Sequence, residues 1–170
     1  MRYLSILPIG GALILSGFAS GPSLKITSPA FSNNGNIPVK YTCEGEQVSP
    51  PLSISGIPSG TKSIAIIVHD PDAPMKGGFT HWIVWNIEAS TINIPEGFKG
   101  AEQGLNGAQK TGYFGMCPPS GIHHYHFMVY ALDSRLDIGK RARRSELDKA
   151  MKGHILAQGD LVGLYKKRNP

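Results

Sequence analysis

Lys62-Ser63-Ile64-Ala65-Ile66-Ile67-Val68, closed by Asp70-Pro71, is the stretch whose reading decides the fold. Its apolar core is mostly β-branched and no polar residue alternates through it, so it reads as a strand buried on both faces. Asp-Pro ends it, because proline restricts the preceding residue and cannot donate to a ladder. Downstream, His81-Trp82-Ile83-Val84-Trp85-Asn86-Ile87 is a second strand, rich in aromatic and β-branched residues. His123 to Leu132 is a third, ended by Asp133. No helical spacing separates these strands, which favours antiparallel pairing over βαβ crossovers. Shorter strands are expected at Pro38–Tyr41 and Leu52–Ile54, and a glycine-rich irregular stretch from Glu88 to Pro119. One helix is expected: Ser145-Glu146-Leu147-Asp148 supplies an N-cap and an acidic first turn. Leu147, Ala150, Met151, His154 and Ile155 recur at helical spacing, Gly159 ends the helix, and Leu161–Tyr165 forms a last strand.

Composition agrees with that pattern. Of 170 residues, 41 % are hydrophobic and 17 % charged, which suits a packed globular domain and excludes disorder or a multi-span membrane protein. The 21 glycines and 13 prolines make up one residue in five, which rules out a helical bundle. The expectation is a mainly β protein with one domain over residues 20–170.

Residues 1–19 stand apart. Arg2 is their only charge, Leu4–Leu15 is apolar, and Ser16-Gly17-Phe18-Ala19 offers small residues for cleavage after Ala19. This describes an export signal, and the apolar stretch is short of the ~20 residues that span a bilayer. The alternative is an apolar first strand or a retained anchor helix. Export places the mature chain in a periplasmic or secreted compartment. Cys43 and Cys117 are the only cysteines, and neither sits in a C-x-x-C pair. In an exported protein they form one disulfide; otherwise they are two buried thiols.

The formal charge is +5, concentrated in Lys140, Arg141, Arg143 and Arg144 and in Lys166-Lys167-Arg168. No nucleic-acid motif or interleaved aromatic residue accompanies them, so nucleic acid is not expected as a partner. A solvated loop and tail, or peripheral contact with an anionic membrane, remain as readings.

Chemistry gathers at three places. Asp70-Pro71-Asp72-Ala73-Pro74 is a stiff turn holding two carboxylates. Gly77-Gly78-Phe79-Thr80-His81-Trp82 allows close backbone approach beside a histidine. Cys117-Pro118-Pro119-Ser120-Gly121-Ile122-His123-His124-Tyr125 leads into the third strand. Alternation there puts His123 and Tyr125 on one face and His124 and His126 on the other.

In combination, from about Pro29 to Leu132, these elements resemble the phosphatidylethanolamine-binding proteins, in particular their bacterial Raf-kinase-inhibitor-like branch. The resemblance rests on Tyr41-Thr42-Cys43-Glu44-Gly45, Ser49-Pro50-Pro51-Leu52, Asp70–Pro74, Gly78–Trp82, Thr111-Gly112-Tyr113, Cys117–Tyr125 and Tyr130-Ala131-Leu132-Asp133. It implies a large central antiparallel sheet, a smaller second sheet and a peripheral helix near the C-terminus. It also implies a small pocket for phosphate-bearing ligands, either a phospholipid head group or a phosphorylated group, with inhibition or modulation of a protein partner as a further role. By motif, the pocket would use Asp70, Pro74, His81, Pro119, His123 and Tyr125, with Asp72 supporting the turn. His124 stands where many members carry arginine, and Ile54 replaces a common tryptophan. The match loosens after Asp133, which leaves any role of Tyr165 in the pocket open.

Imidazoles, a tyrosine hydroxyl and backbone N–H groups can all donate to phosphate oxygens. Asp70 cannot, and either accepts a hydrogen bond that fixes a histidine tautomer or is protonated when ligand binds. Two other classes compete. A hydrolase would use Asp70 or Asp72 with His81 as acid and base, or Cys117 as a thiol nucleophile beside His123. A metal protein would use His81, His123, His124 and His126. No nucleophile elbow, phosphate loop or metal-ligand spacing is present, so binding without catalysis is expected and no cofactor is implied.

Overall fold

The computed structural model describes residues 23–168. The proposed export signal, residues 1–19, lies outside the described residues. In chain order the elements are β1 (Lys25–Thr27), β2 (Gly35–Asn36), β3 (Leu52–Ser55), β4 (Ser63–Asp70), β5 (Phe79–Glu88), β6 (Asn93–Ile94), β7 (Glu102–Gln103), β8 (His123–Leu132), α1 (Arg144–Met151) and β9 (Ile155–Tyr165). They form a six-stranded sheet in the order β2-β9-β8-β4-β5-β7 and a three-stranded sheet β1-β3-β6. The β4, β5, β8 and β9 ladders are antiparallel, and only the short β2 joins its neighbour in parallel.

Strand β4 lies between β5 and β8, and Ile64 through Val68 have no exposed surface. One face presents Ile64, Ile66 and Val68 with Trp82, Val84, Phe127 and Val129 to the small sheet, whose Ile26, Leu52, Ile54 and Ile94 cover them. The other face presents Ala65, Ile67, Ile83 and Trp85 to Leu136, Ala142 and the helix residues Leu147 and Met151. Each fully buried isoleucine contributes about 1.5–3 kcal/mol relative to exposure, which is why an unbroken apolar run is stable only at this central position.

Strand β5 carries two irregularities. Ile64 pairs with Ile87 and Ile66 with Val84, so Trp85 and Asn86 together oppose Ala65. Asn86 takes φ 58° at this bulge, a conformation that asparagine tolerates better than most residues. Its amide donates to the Leu136 carbonyl at 2.9 Å and accepts from the Leu136 N–H at 2.8 Å, pinning the segment that roofs the second core. Asn86→Ala is expected to cost about 3 kcal/mol, from two unpaired buried backbone groups and a strained φ. Chemical denaturation measures this; a loss below ~1 kcal/mol would mean that Leu136 finds other partners.

Two local expectations are corrected. Pro38–Tyr41 is not a strand: Val39–Tyr41 is a single 3-10 turn, closed by Tyr41 N–H to Pro38 O and by both donors of Thr42 to Val39 O. The helix is shorter than its apolar spacing suggests. It begins after Arg143, whose N–H donates to the Glu146 carboxylate, and Gly153 at φ 86° turns the chain away after Met151. His154 and Ile155 therefore leave the helix, and β9 starts at Ile155 rather than Leu161. Gly159 lies inside that strand opposite Val129, where an added Cβ would sit 2.3 Å from the Leu24 carbonyl. Its role is close packing, not helix termination.

Candidate ligand pocket

The pocket forms at the end of the large sheet where β4, β5 and β8 bring their polar ends together. Asp70, the last residue of β4, is 3 % exposed and accepts from three donors. Its Oδ1 accepts the backbone N–H groups of Asp72 at 2.9 Å and Ala73 at 3.1 Å, which closes the Asp-Pro turn. Its Oδ2 lies 2.7 Å from Nδ1 of His123, the first residue of β8. A carboxylate here accepts only, so the His123 proton sits on Nδ1.

His81 reaches the site through the second irregularity of β5. Val68 pairs with Trp82 but His69 pairs with Thr80, which leaves His81 as an extra residue. Regular alternation would send His81 and Trp82 to opposite faces. The bulge instead sets His81 beside Tyr125, ring centroids 5.3 Å apart, on the face where Trp82 also packs. His81 Nδ1 is 2.8 Å from the Phe114 carbonyl, so this nitrogen donates. Phe79 packs edge-on against the same ring at 4.7 Å. Burial pushes the His81 pKa down, against the opposing pull of the Phe114 carbonyl and Asp70, and favours the neutral ring.

A cavity of about 310 Å³ opens over these groups. Asp70, Pro74, His81 and Pro119 line it, as do Ala73, Met75, Phe79, Phe114 and Cys117. His123 and Tyr125 belong to the supporting layer behind it: both are buried, and their rings stack at 6.3 Å. The Tyr125 hydroxyl is raised well above the usual tyrosine range by burial and then by the Asp70 carboxylate. Asp72 turns outward, accepting from His124 at both the backbone N–H (2.8 Å) and Nδ1 (2.7 Å). Tyr165 pairs with His123 in the ladder, yet its hydroxyl donates to Glu44 and it does not line the cavity. The aromatic walls Phe79 and Phe114 and the rim residue Met75 were not expected from residue chemistry; Phe79 alone lay inside a quoted motif. Met75, at the cavity, and Ile122, the residue before β8, are each more than half exposed.

Cys117 is bonded to Cys43, which excludes it as a thiol nucleophile in this state. His124 pairs with Asp72 and His126 with Asp160, and among the described residues no group of three metal-ligating side chains converges. On the opposite face, burial lowers the pKa of His69 to about 4. Two larger hollows share Gln103 and Thr111, and Lys140 and Arg141 line one of them. No helix among the described residues is long and apolar enough to cross a membrane.

A two-sheet β protein with a small half-enclosed pocket at one end of its larger sheet is the architecture of a compact ligand-binding protein. The sequence profile of the phosphatidylethanolamine-binding proteins matches residues 27–166. The chain belongs to that family. A UPF0098 protein of Pyrococcus horikoshii is 50 % identical over 97 % of this chain and 87 % of its own length. Another, from Methanothermobacter thermautotrophicus, is 43 % identical over 85 % of this chain and 99 % of its own. Among solved structures, a putative phosphatidylethanolamine-binding protein homolog of Chlamydia trachomatis superposes with TM-score 0.82 at 43 % identity, covering 86 % of this chain and 99 % of its own. YbcL of E. coli, described as a member of the mammalian family, superposes with TM-score 0.80 at 31 % identity over the same shares.

Proposed function

We propose that this chain is an exported binding protein, one domain over residues 20–170, whose pocket holds a small phosphate-bearing group without turning it over. The observation that carries the reading is that His81, which lines one small cavity, and His123, buried behind it, are both oriented through Nδ1, by the Phe114 carbonyl and by Asp70. Rings fixed in this way lose little freedom when a ligand arrives, and preorganisation of that kind favours affinity. Asp70 is committed to His123 and the turn, which leaves it poorly placed as a general base. The family's name points to a phospholipid head group as one source of the phosphate; a phosphorylated protein side chain is another. Export is supported by the leader-like residues 1–19 and by the Cys43–Cys117 bridge.

Titration calorimetry with methyl phosphate tests the pocket. His81→Gln should weaken binding about 10-fold or more, the effect of losing one charge-assisted hydrogen bond, and His123→Gln should weaken it indirectly, by removing the contact that holds Asp70 in the cavity wall. His154→Gln, whose ring pairs with Asp133 away from the pocket, should leave affinity unchanged. Equal affinity in the wild type and both pocket variants would move the anion elsewhere, first to the hollow beside Lys140 and Arg141. Hydrolysis of phosphomonoesters that survives purification and vanishes in His81→Gln would replace binding with catalysis.

A further inference from the structure

We propose that the two hollows beside β7 form one groove, which takes an extended acidic peptide segment of a partner protein as a short added strand at the free edge of the large sheet. The proposal is independent of the phosphate pocket: no residue lines both that pocket and either hollow.

Strand β7 ends the six-stranded sheet, so only one of its edges is covered by a neighbouring strand. Gln103 stands opposite Val84, and the Gly104 N–H donates to the Ile83 carbonyl at 3.2 Å. That bond makes Gln103–Val84 a non-hydrogen-bonded pair, in which the N–H and C=O of Gln103 point away from β5. Thr111 is placed in the same way. It bridges Leu105 across the following hairpin, flanked by Asn106 N–H to Lys110 O at 2.9 Å and Gly112 N–H to Gly104 O at 3.4 Å. Its own N–H and C=O therefore turn away from Leu105. Among the described residues, none of these four backbone groups has a protein partner. Gln103 and Thr111 are also the two residues that line both hollows.

A free N–H and C=O pair on a sheet edge is matched by the backbone of another extended chain. The surrounding side chains select its sequence. Lys140 and Arg141 line the larger hollow, of about 650 Å³, and Lys99 the smaller, of about 370 Å³. All three are exposed, and the lysine and arginine ion pairs among the described residues use Lys40, Arg135 and Arg144 instead. Glu102 is the one carboxylate lining either hollow, which leaves an excess of two positive charges. Val48, Phe98 and Tyr113, packed on the core, give the smaller hollow an apolar wall. Side chains of a strand alternate between two faces, so a peptide alternating acidic and apolar residues presents carboxylates to the cations and apolar groups to that wall. A lipid surface or a nucleic acid would meet the cations but leave the edge N–H and C=O groups without a matching backbone.

The probe is a short capped peptide alternating glutamate and valine, labelled with a fluorophore and followed by anisotropy. It should bind, with affinity falling as salt screens the exposed charges. Lys140→Glu with Arg141→Glu, both at exposed positions that leave the core untouched, should weaken binding at least ~10-fold. The same peptide methylated on its backbone nitrogens keeps its charge but loses its donors, and should also bind at least ~10-fold more weakly. In NMR spectra of the wild-type protein, the backbone amide signals of Gln103 and Thr111 should shift on adding the probe. Equal affinity for the methylated peptide would reduce the groove to a charged patch and overturn the proposal. Equal affinity for a lysine–valine peptide, unmoved Gln103 and Thr111 signals, or failure of the probe to bind would each overturn it too. If phosphatidylglycerol vesicles or a DNA duplex bound the wild type and not the double variant while the probe failed, the cations would belong to a membrane or nucleic-acid surface instead.

Discussion

Asp70→Ala is expected to destabilise the fold by about 3–5 kcal/mol, the range for breaking a buried, hydrogen-bonded carboxylate contact by removing one partner. Three donors lose their acceptor at once: the His123 ring and the backbone N–H groups of Asp72 and Ala73. The His123 ring has no access to bulk water as compensation, at a site where Asp70 is 3 % and His123 6 % exposed, whereas Asp72 is exposed and Ala73 half-buried. Against a typical total stability of about 5–15 kcal/mol, the loss takes a fifth of the fold's margin or more. Urea denaturation should show a lower midpoint with little change in slope. Asp70→Asn should cost less, because its amide oxygen can still cap the turn. It would turn an N–H toward His123, which then has to move its proton to Nε2, a change visible in the ring nitrogen shifts. A loss under ~1 kcal/mol in Asp70→Ala would show that the carboxylate is not the organising centre of this end of the sheet.

The second large effect concerns the Cys43–Cys117 bridge, whose cysteines are 74 positions apart with Cα atoms 5.4 Å from each other. Closing so long a loop restricts the unfolded chain, and by the chain-entropy argument contributes roughly 4 kcal/mol. Cys43→Ser with Cys117→Ser, or reduction, should lower Tm by on the order of 10 °C. The bridge also supports the pocket, since Cys117 lines the cavity and lies three residues beyond Phe114, whose carbonyl orients His81. Neighbouring bonds hold the same loop: Cys43 N–H donates to Met116 O at 3.0 Å and the Tyr113 hydroxyl to Tyr41 O at 2.9 Å. Methyl phosphate binding should therefore weaken in the double variant at temperatures where it remains folded. An unchanged Tm would mean that the native contacts, not the crosslink, set the stability of this loop.

The strands that make the sheet were legible because their composition admits one environment. Ile64–Val68 has no polar residue to turn toward water, so it belongs at the centre of a sheet covered on both sides, and that is where it lies. Turn chemistry was equally plain at Asp70–Pro74, because proline limits the backbone through its own covalent geometry. The helix end was not legible. Apolar spacing through Ile155 looked helical, and a glycine at 159 looked like a stop. Glycine at 159 is required by the Leu24 carbonyl, which comes from the far end of the chain, and no local pattern carries that contact.

The pocket divides along the same line. The family resemblance carried by short motifs nominated Asp70, Pro74, His81 and Pro119 from the sequence, and residue chemistry by itself pointed to the carboxylates of the Asp70–Pro74 turn and to the histidines. Only the tertiary structure decided which of them line the cavity, which ring nitrogen carries the proton and which way Asp72 faces. His81 enters the site because β5 gains a residue relative to β4, and register belongs to a pair of strands rather than to either one. Its tautomer is imposed by a carbonyl 33 positions away, and that of His123 by a carboxylate 53 positions away. A residue's covalent chemistry travels with the chain, but its hydrogen-bonding role is set by whatever atom folding brings within 3 Å.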